Sequence, residues 1–246
     1  MATNPCAGEQ EGNNLLRALR PNDLALLTPY LEIWSGARGQ VIYNPGDDVT
    51  HVYFPCGASV ACFLTPLPEG ELIEAALVGR EGAIGGVVSE GNLPAFARAE
   101  VQSAGQFLRM PIKRLDAAKR SSPAIRTLFA RYADCLLAQV FQSVACNAAH
   151  TIEQRTAKWL LAAMDRTGQE KLALTQDQLA GMLGIGRSYL TRVVKPLRER
   201  GLIDTGRGMI RVLNRSALET VSCGCDEAWR RHFGVALRGV YPGPRD

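Results

Sequence analysis

The sequence predicts an α+β fold: a β-rich N-terminal domain, then one long helix, then a helix-turn-helix with a β wing. Three observations carry that prediction. From residue 38 to about 110, short apolar runs alternate with Gly and Pro turns, the texture of a β-sandwich or barrel. After Pro123 there is no further Gly or Pro as far as about residue 154, and apolar residues recur there at three- and four-residue steps. Between 155 and 215, two helical patterns flank the turn Gly184-Ile185-Gly186.

Residues 1–37 read as a leader with short helices, since 14–19 and 23–31 carry apolar residues at helical spacing and Pro21 begins a new turn. Residues 38–120 form the β domain. Val41-Ile42-Tyr43 runs into the turn Asn44-Pro45-Gly46-Asp47, and Val52-Tyr53-Phe54 into Pro55-Cys56-Gly57. Further strands fall over 59–64, 72–78 and 99–110, with a Gly-rich connection over 79–86 and one or two helical turns over 112–118.

Ser122 as N-cap and Pro123 at the first helical position start the long helix, expected over 121–154. At 1.5 Å per residue it would be roughly 45 Å long, more than a small β domain can cover. Its stripe of Leu128, Tyr132, Leu136, Val140 and Val144 is therefore expected to face a partner helix in a homodimer, with cover inside the same subunit as the alternative. Residues 155–215 form the winged helix-turn-helix, and 216–246 a helical tail.

Composition narrows the classes. Of 246 residues, 46% are hydrophobic, enough for a packed core. No run approaches the roughly 18 apolar residues needed to span a bilayer, and the first residues lack the basic start and apolar stretch of a signal peptide. A cytoplasmic protein without a membrane partner is expected. Seven cysteines, an odd and scattered set, do not form a disulfide framework. The net charge of +4 is unevenly placed: residues 155–215 hold 12 Lys and Arg against 5 Asp and Glu, while 1–120 carry a net −3. A local basic excess is the footprint of a polyanion.

That segment has the layout of a DNA reader. Residues 155–164 form a helix with Trp159, Leu160 and Ala163 inward. Thr175 caps the next helix in a box closed by Gln178. Ala180 is small where two helices cross, Gly184 permits a left-handed turn, and Ile185 fills the space beneath it. The third helix, 187–200, turns Leu190, Val193, Val194 and Leu197 inward and Tyr189 inward or to the boundary, with Pro196 expected to kink or shorten it. Arg187, Ser188, Tyr189, Arg192 and Lys195 lie in its first turns, where a recognition helix reaches base edges and phosphates. Residues 201–213 read as a two-stranded wing with Arg207 at its tip, near phosphates. Thr175 and Gln176 complete the expected DNA-binding set.

Over residues 35–215 the chain resembles the Crp/Fnr superfamily of bacterial transcription regulators, carried by Val41 to Asp47, Val52-Tyr53-Phe54 with Gly57, Gly82-Ala83-Ile84-Gly85, the long helix, and the stretch 174–194. The resemblance implies a cyclic-nucleotide-binding-type, jelly-roll-like β-roll as sensor. It also implies a homodimer on a palindromic operator of double-stranded DNA, with RNA polymerase as a further partner. Arg187 and Arg192 fall on the family's base- and phosphate-contacting arginines and Thr175 on a phosphate contact. Ser188 departs, standing where the best-studied members have a Glu that reads cytosine.

The effector pocket departs further. The resemblance places it at Gly85, Gly86, Arg98, Val140 and Phe141. The Glu that meets a ribose hydroxyl is missing at Gly86, Arg98 is followed by Ala99 where the family has Ser or Thr, and Val140-Phe141 replaces a polar pair that contacts adenine. A cyclic nucleotide is not expected, and the effector stays unidentified. The iron–sulfur arrangement of oxygen-sensing members is not expected either, since Cys6 is the one cysteine near the N-terminus. Cys223-Gly224-Cys225-Asp226 with His232 is the best soft-ligand group. A lone C-x-C is a weak signal, so no metal and no cofactor are assigned; Cys135 and Cys146 are read as packing residues on the long helix, and His51 and His150 as lone histidines. Two other classes remain as alternatives: a ligand-binding module that acts on a protein partner through the winged domain, and an enzyme. No nucleophile–base pair, phosphate loop or paired metal-ligand spacing supports the latter.

Overall fold

The computed structural model describes residues 12–240 apart from 88, 89 and 92; Cys6 lies outside the described residues. Short helices α1 (Asn14–Arg17) and α2 (Pro21–Ala25) and one 3-10 turn (Thr28–Tyr30) precede β1 (Glu32–Gly36). The β-roll therefore begins inside the stretch read as leader. The antiparallel register of β1 with a distant strand, Glu32 opposite Arg109 and Gly36 opposite Gly105, makes it part of the roll.

The other strands are β2 (Val41–Tyr43), β3 (His51–Pro55), β4 (Val60–Pro66), β5 (Leu72–Val78), β6 (Arg98–Ser103) and β7 (Gly105–Pro111). They make two antiparallel sheets, ordered β1-β7-β3 and β2-β6-β4-β5. Alternation sorts their side chains, because successive residues of a strand point to opposite faces. Tyr53 and Phe107 turn into the roll, against Ala61, Val78, Ile84 and Val101. Val52, Phe54, Leu108 and Met110 point the other way, into a helical layer.

That layer is built from α1, α3 (Ile112–Ser121), α4 (Pro123–Ala149) and, from the far end of the chain, α9 (Cys225–Ala236). As expected, Ser122 caps α4, accepting from the Ile125 amide at 3.2 Å. The helix stops at Ala149, short of residue 154; His150 is extended, and Thr151 opens a new helix, α5 (Ile152–Thr167), through a capping box with Gln154. At 27 residues α4 is about 40 Å long.

The seam expected on α4 is corrected by its packing. Leu128 and Tyr132 are buried within the chain itself; the Tyr132 hydroxyl donates to the Ala83 carbonyl at 2.9 Å. A Cβ on Gly82 would overlap that hydroxyl, so any larger residue would displace the buried Tyr132 where α4 crosses the roll. Leu136 packs against the roll's interior cluster. Val140 is half-buried, and only Val144 of the predicted set is exposed. Leu137, Phe141 and Val144 form the exposed apolar face, at 51%, 65% and 64% of full exposure.

The C-terminal domain comprises α5, β8 (Lys171–Leu172), α6 (Gln176–Leu183), α7 (Arg187–Glu199), β9 (Ile203–Gly206) and β10 (Met209–Val212), followed by α8 (Arg215–Val221). The wing has three strands in the order β8-β10-β9 rather than two, because Leu172 pairs with Ile210. Pro196 does not end α7. After α8, α9 turns back to pack on α4, with Trp229 Nε1 donating to the Cys135 carbonyl at 2.9 Å.

Candidate nucleic-acid interface

The helix-turn-helix is assembled from its buried side. Leu179, Ala180 and Leu183 of α6 meet Leu190, Val194 and Leu197 of α7 in a core shared with Trp159 and Leu160. Gly184 holds the turn with φ +68°, a conformation that suits glycine, and its amide closes on Ala180 and Gly181. Ile185 is half-buried and packs onto the same core. The nearly buried Arg155 donates from Nη2 to the Leu183 carbonyl at 2.8 Å, satisfying the last turn of α6.

The outer face of α7 is what this packing leaves in solvent. Arg187, Ser188, Tyr189, Arg192 and Lys195 are all exposed. Tyr189, which the sequence left between inside and boundary, is 45% exposed, and the Arg192 guanidinium lies 5.3 Å from its ring centroid. Arg187 pairs with Asp177 at 3.1 Å, both side chains more than half exposed. Such a pair is worth little in water, so a phosphate or a guanine can displace it. The Thr191 hydroxyl lies 3.1 Å from the Arg187 carbonyl of its own helix and 3.3 Å from the Gln176 amide oxygen of α6.

Thr175 holds the predicted capping box: its hydroxyl accepts from the Gln178 amide at 3.1 Å and donates to Gln178 Oε1 at 3.0 Å. That hydroxyl proton is committed to the cap, so Thr175 could meet a phosphate only by reorganising the box. Gln178 Oε1 also accepts from Arg38 of the roll. Arg207 stands exposed in the hairpin turn between β9 and β10, where Gly206 pairs with Met209.

The roll grips this domain from behind. Trp159 Nε1 donates to both oxygens of Glu74 on β5 at 2.9 Å. Arg166 pairs with Glu81 at 2.9 Å, and a Cβ on Gly184 would stand 3.0 Å from Ile73 Cδ1. None of these contacts covers the outer face of α7. Sequence reasoning missed them because Glu74 and Ile73 lie about 85 to 110 positions away along the chain.

The residues expected to line an effector pocket have separate engagements. Gly85 sits against the His51 carbonyl, and Gly86, at φ +52°, against Ile112, whose side chain any Cβ there would overlap. A glutamate at Gly86 would have to displace the buried Ile112 side chain and hold a left-handed backbone. Arg98 donates from Nε to Asn44 Oδ1 at 3.1 Å, Val140 is half-buried and Phe141 is exposed.

Among the described residues, no helix is long and apolar enough to cross a membrane. Residues 154–221 match the Crp-like helix-turn-helix domain. A comparison with curated protein sequences finds no match. Among solved structures the fold is that of Crp/Fnr regulators. A Crp/Fnr-family protein of Eubacterium rectale aligns with TM-score 0.67 and 18% identity, over 84% of this chain and 96% of that one. FixK2 of Bradyrhizobium japonicum aligns with TM-score 0.66 and 17% identity, over 78% and 98%. The c-di-GMP-responsive regulator CLP of Xanthomonas campestris aligns with TM-score 0.64 and 14% identity, over 78% and 99%.

Proposed function

We propose that this chain, with a Crp-like helix-turn-helix domain on a Crp/Fnr fold, is a sequence-specific DNA-binding transcription regulator that works as a homodimer. The observation that carries the reading is the exposed outer face of α7. Arg187, Ser188, Tyr189 and Arg192 stand in solvent on a helix whose opposite face, Leu190, Val194 and Leu197, is buried. A helix held only from behind can enter a major groove, with Lys195 and Arg207 at the flanking phosphates.

The dimer reading rests on the face of α4 that its own protomer leaves bare. Leu137, Phe141, Val144 and Ala148 recur at four, three and four residues, the step of a two-helix seam. Two α7 helices related by a two-fold axis would read a palindrome. The effector remains to be identified, and a cyclic nucleotide bound in the manner of the Crp/Fnr sensors is disfavoured by Ile112 over Gly86 and by Asn44 on Arg98. Calorimetry with cyclic AMP and cyclic GMP tests that part; micromolar binding would refute it.

The test of the main reading is selection of binding sites from random duplex DNA, followed by titration of Arg187→Ala. If Arg187 reads a base, the variant loses about 1–3 kcal/mol at the selected site and relaxes preference at one position. Wild-type affinity should fall with salt, with a slope that counts the phosphates neutralised. Failure to select any sequence, or equal losses on selected and random DNA, would remove the specific readout.

A further inference from the structure

The four side chains Cys146, His150, Cys223 and Cys225 converge at the hinge between α4 and α5. Their ligand atoms all lie within 4.8 Å of one another. Cys146 lies in the last turn of α4, and His150, the extended residue that caps that helix, donates its backbone amide to the Cys146 carbonyl. Cys223 and Cys225 come from the tail, where Cys225 is the first residue of α9. The sequence had paired the C-x-C with His232, which is exposed and outside this cluster; the fold brings in Cys146 and His150 instead, from about 75 residues upstream.

We propose that these residues form a mononuclear, tetrahedral Cys3His metal site, with zinc as the best-fitting ion, which pins the C-terminal tail to the end of α4. The geometry is that of a site rather than of a bridge. With zinc–sulfur bonds of about 2.3 Å and zinc–nitrogen bonds of about 2.0 Å, tetrahedral angles put sulfur atoms about 3.8 Å apart and sulfur and nitrogen about 3.5 Å apart. Cys146 and Cys223 stand at 3.6 Å, and Cys225 Sγ and His150 Nδ1 at 3.5 Å. A disulfide would need about 2.05 Å.

The surroundings fit as well. The three cysteines form a buried cluster of their own, and His150 is half-buried beside them. A divalent ion with three thiolates carries a net single negative charge. Lys158 supplies the balancing positive charge, with Nζ 3.4 Å from Cys146 Sγ. Outer partners of this kind orient and tune ligands. All four ligands fall outside residues 154–221, so the site is no part of the matched Crp-like domain.

The experiment uses the full chain, purified under reducing, chelator-free conditions. Elemental analysis should find about one zinc per protomer. Anaerobic titration of the stripped protein with cobalt(II) should give a thiolate charge-transfer band and the intense visible bands of a tetrahedral ion, both bleached by zinc. Cys146→Ser and Cys225→Ser should each lower zinc affinity at least tenfold, and Lys158→Met on the order of tenfold. The cobalt titration of the wild type stands even where a variant fails to fold. The site is refuted if the wild-type protein takes up no metal, gives only a pale octahedral cobalt spectrum, carries an iron–sulfur chromophore, or is isolated from cells with Cys146 and Cys223 joined as a disulfide.

Discussion

The two halves of α4 carry similar side chains and meet opposite surroundings. In the first half, Leu128, Phe129, Tyr132 and Cys135 are buried against the roll and α9. In the second, Leu137, Phe141 and Val144 face solvent. A helix 27 residues long outruns a single β domain, so the roll covers what it can reach and the remainder stays bare. Periodicity identifies an apolar stripe, but the same period serves an intramolecular core and an intermolecular seam.

The sharpest way to break this comparison is to delete one side chain from each half. Leu128→Ala leaves a cavity under the roll and should lower unfolding stability by about 2–5 kcal/mol in a denaturant titration, without changing the association of the folded chains. Phe141→Glu should do the reverse. Sedimentation should report loss of self-association, while protomer stability moves by no more than about 0.5 kcal/mol, as for surface substitutions elsewhere. A Phe141→Glu protein that still sediments as the wild type would move the seam off this face.

The junction between roll and helix-turn-helix allows a second test. Burial pushes the Glu74 carboxyl up to about 7, against the pull of Trp159, Lys158 and Arg166. The folded protein therefore holds a proton at Glu74 that the unfolded chain releases nearer the ordinary value of 4.5. The stability this proton contributes is fully present below that lower value and is lost as pH rises toward 7. The melting temperature should be lower at about pH 8 than at about pH 5, a loss on the order of 1–3 kcal/mol, and Glu74→Gln should flatten the difference. An unchanged pH dependence in that variant would assign the titration elsewhere.

The smallest effect is expected at the cap of α6. Thr175→Ala removes the acceptor for the Gln178 amide and should cost about 1 kcal/mol of stability. If Thr175 serves only the cap, the variant's affinity for DNA, measured well below its melting temperature, should match the wild type. A marked loss on all sequences would return Thr175 to the phosphate contacts.

The short-range chemistry of this protein was legible in its sequence. Turn residues at Asn44-Pro45-Gly46-Asp47, the Thr175–Gln178 box, Gly184 and the cap at Ser122 each act on neighbours a few positions away. The segments they delimit therefore appear where composition and period put them. The exposed basic face of α7 was legible for the same reason, since a helix period sorts inner from outer residues. What only the tertiary structure decided depends on meetings across long stretches of chain. β1 joins the roll through a strand about 70 residues away, and Tyr132 is buried because the loop at Gly82 and Ala83 lies over it. The Cys223–Cys225 pair finds Cys146 and His150 only because α9 packs back along α4. Local pattern fixes what an element is and which face is apolar; the surface that covers that face is chosen by packing among distant segments, which no local period encodes.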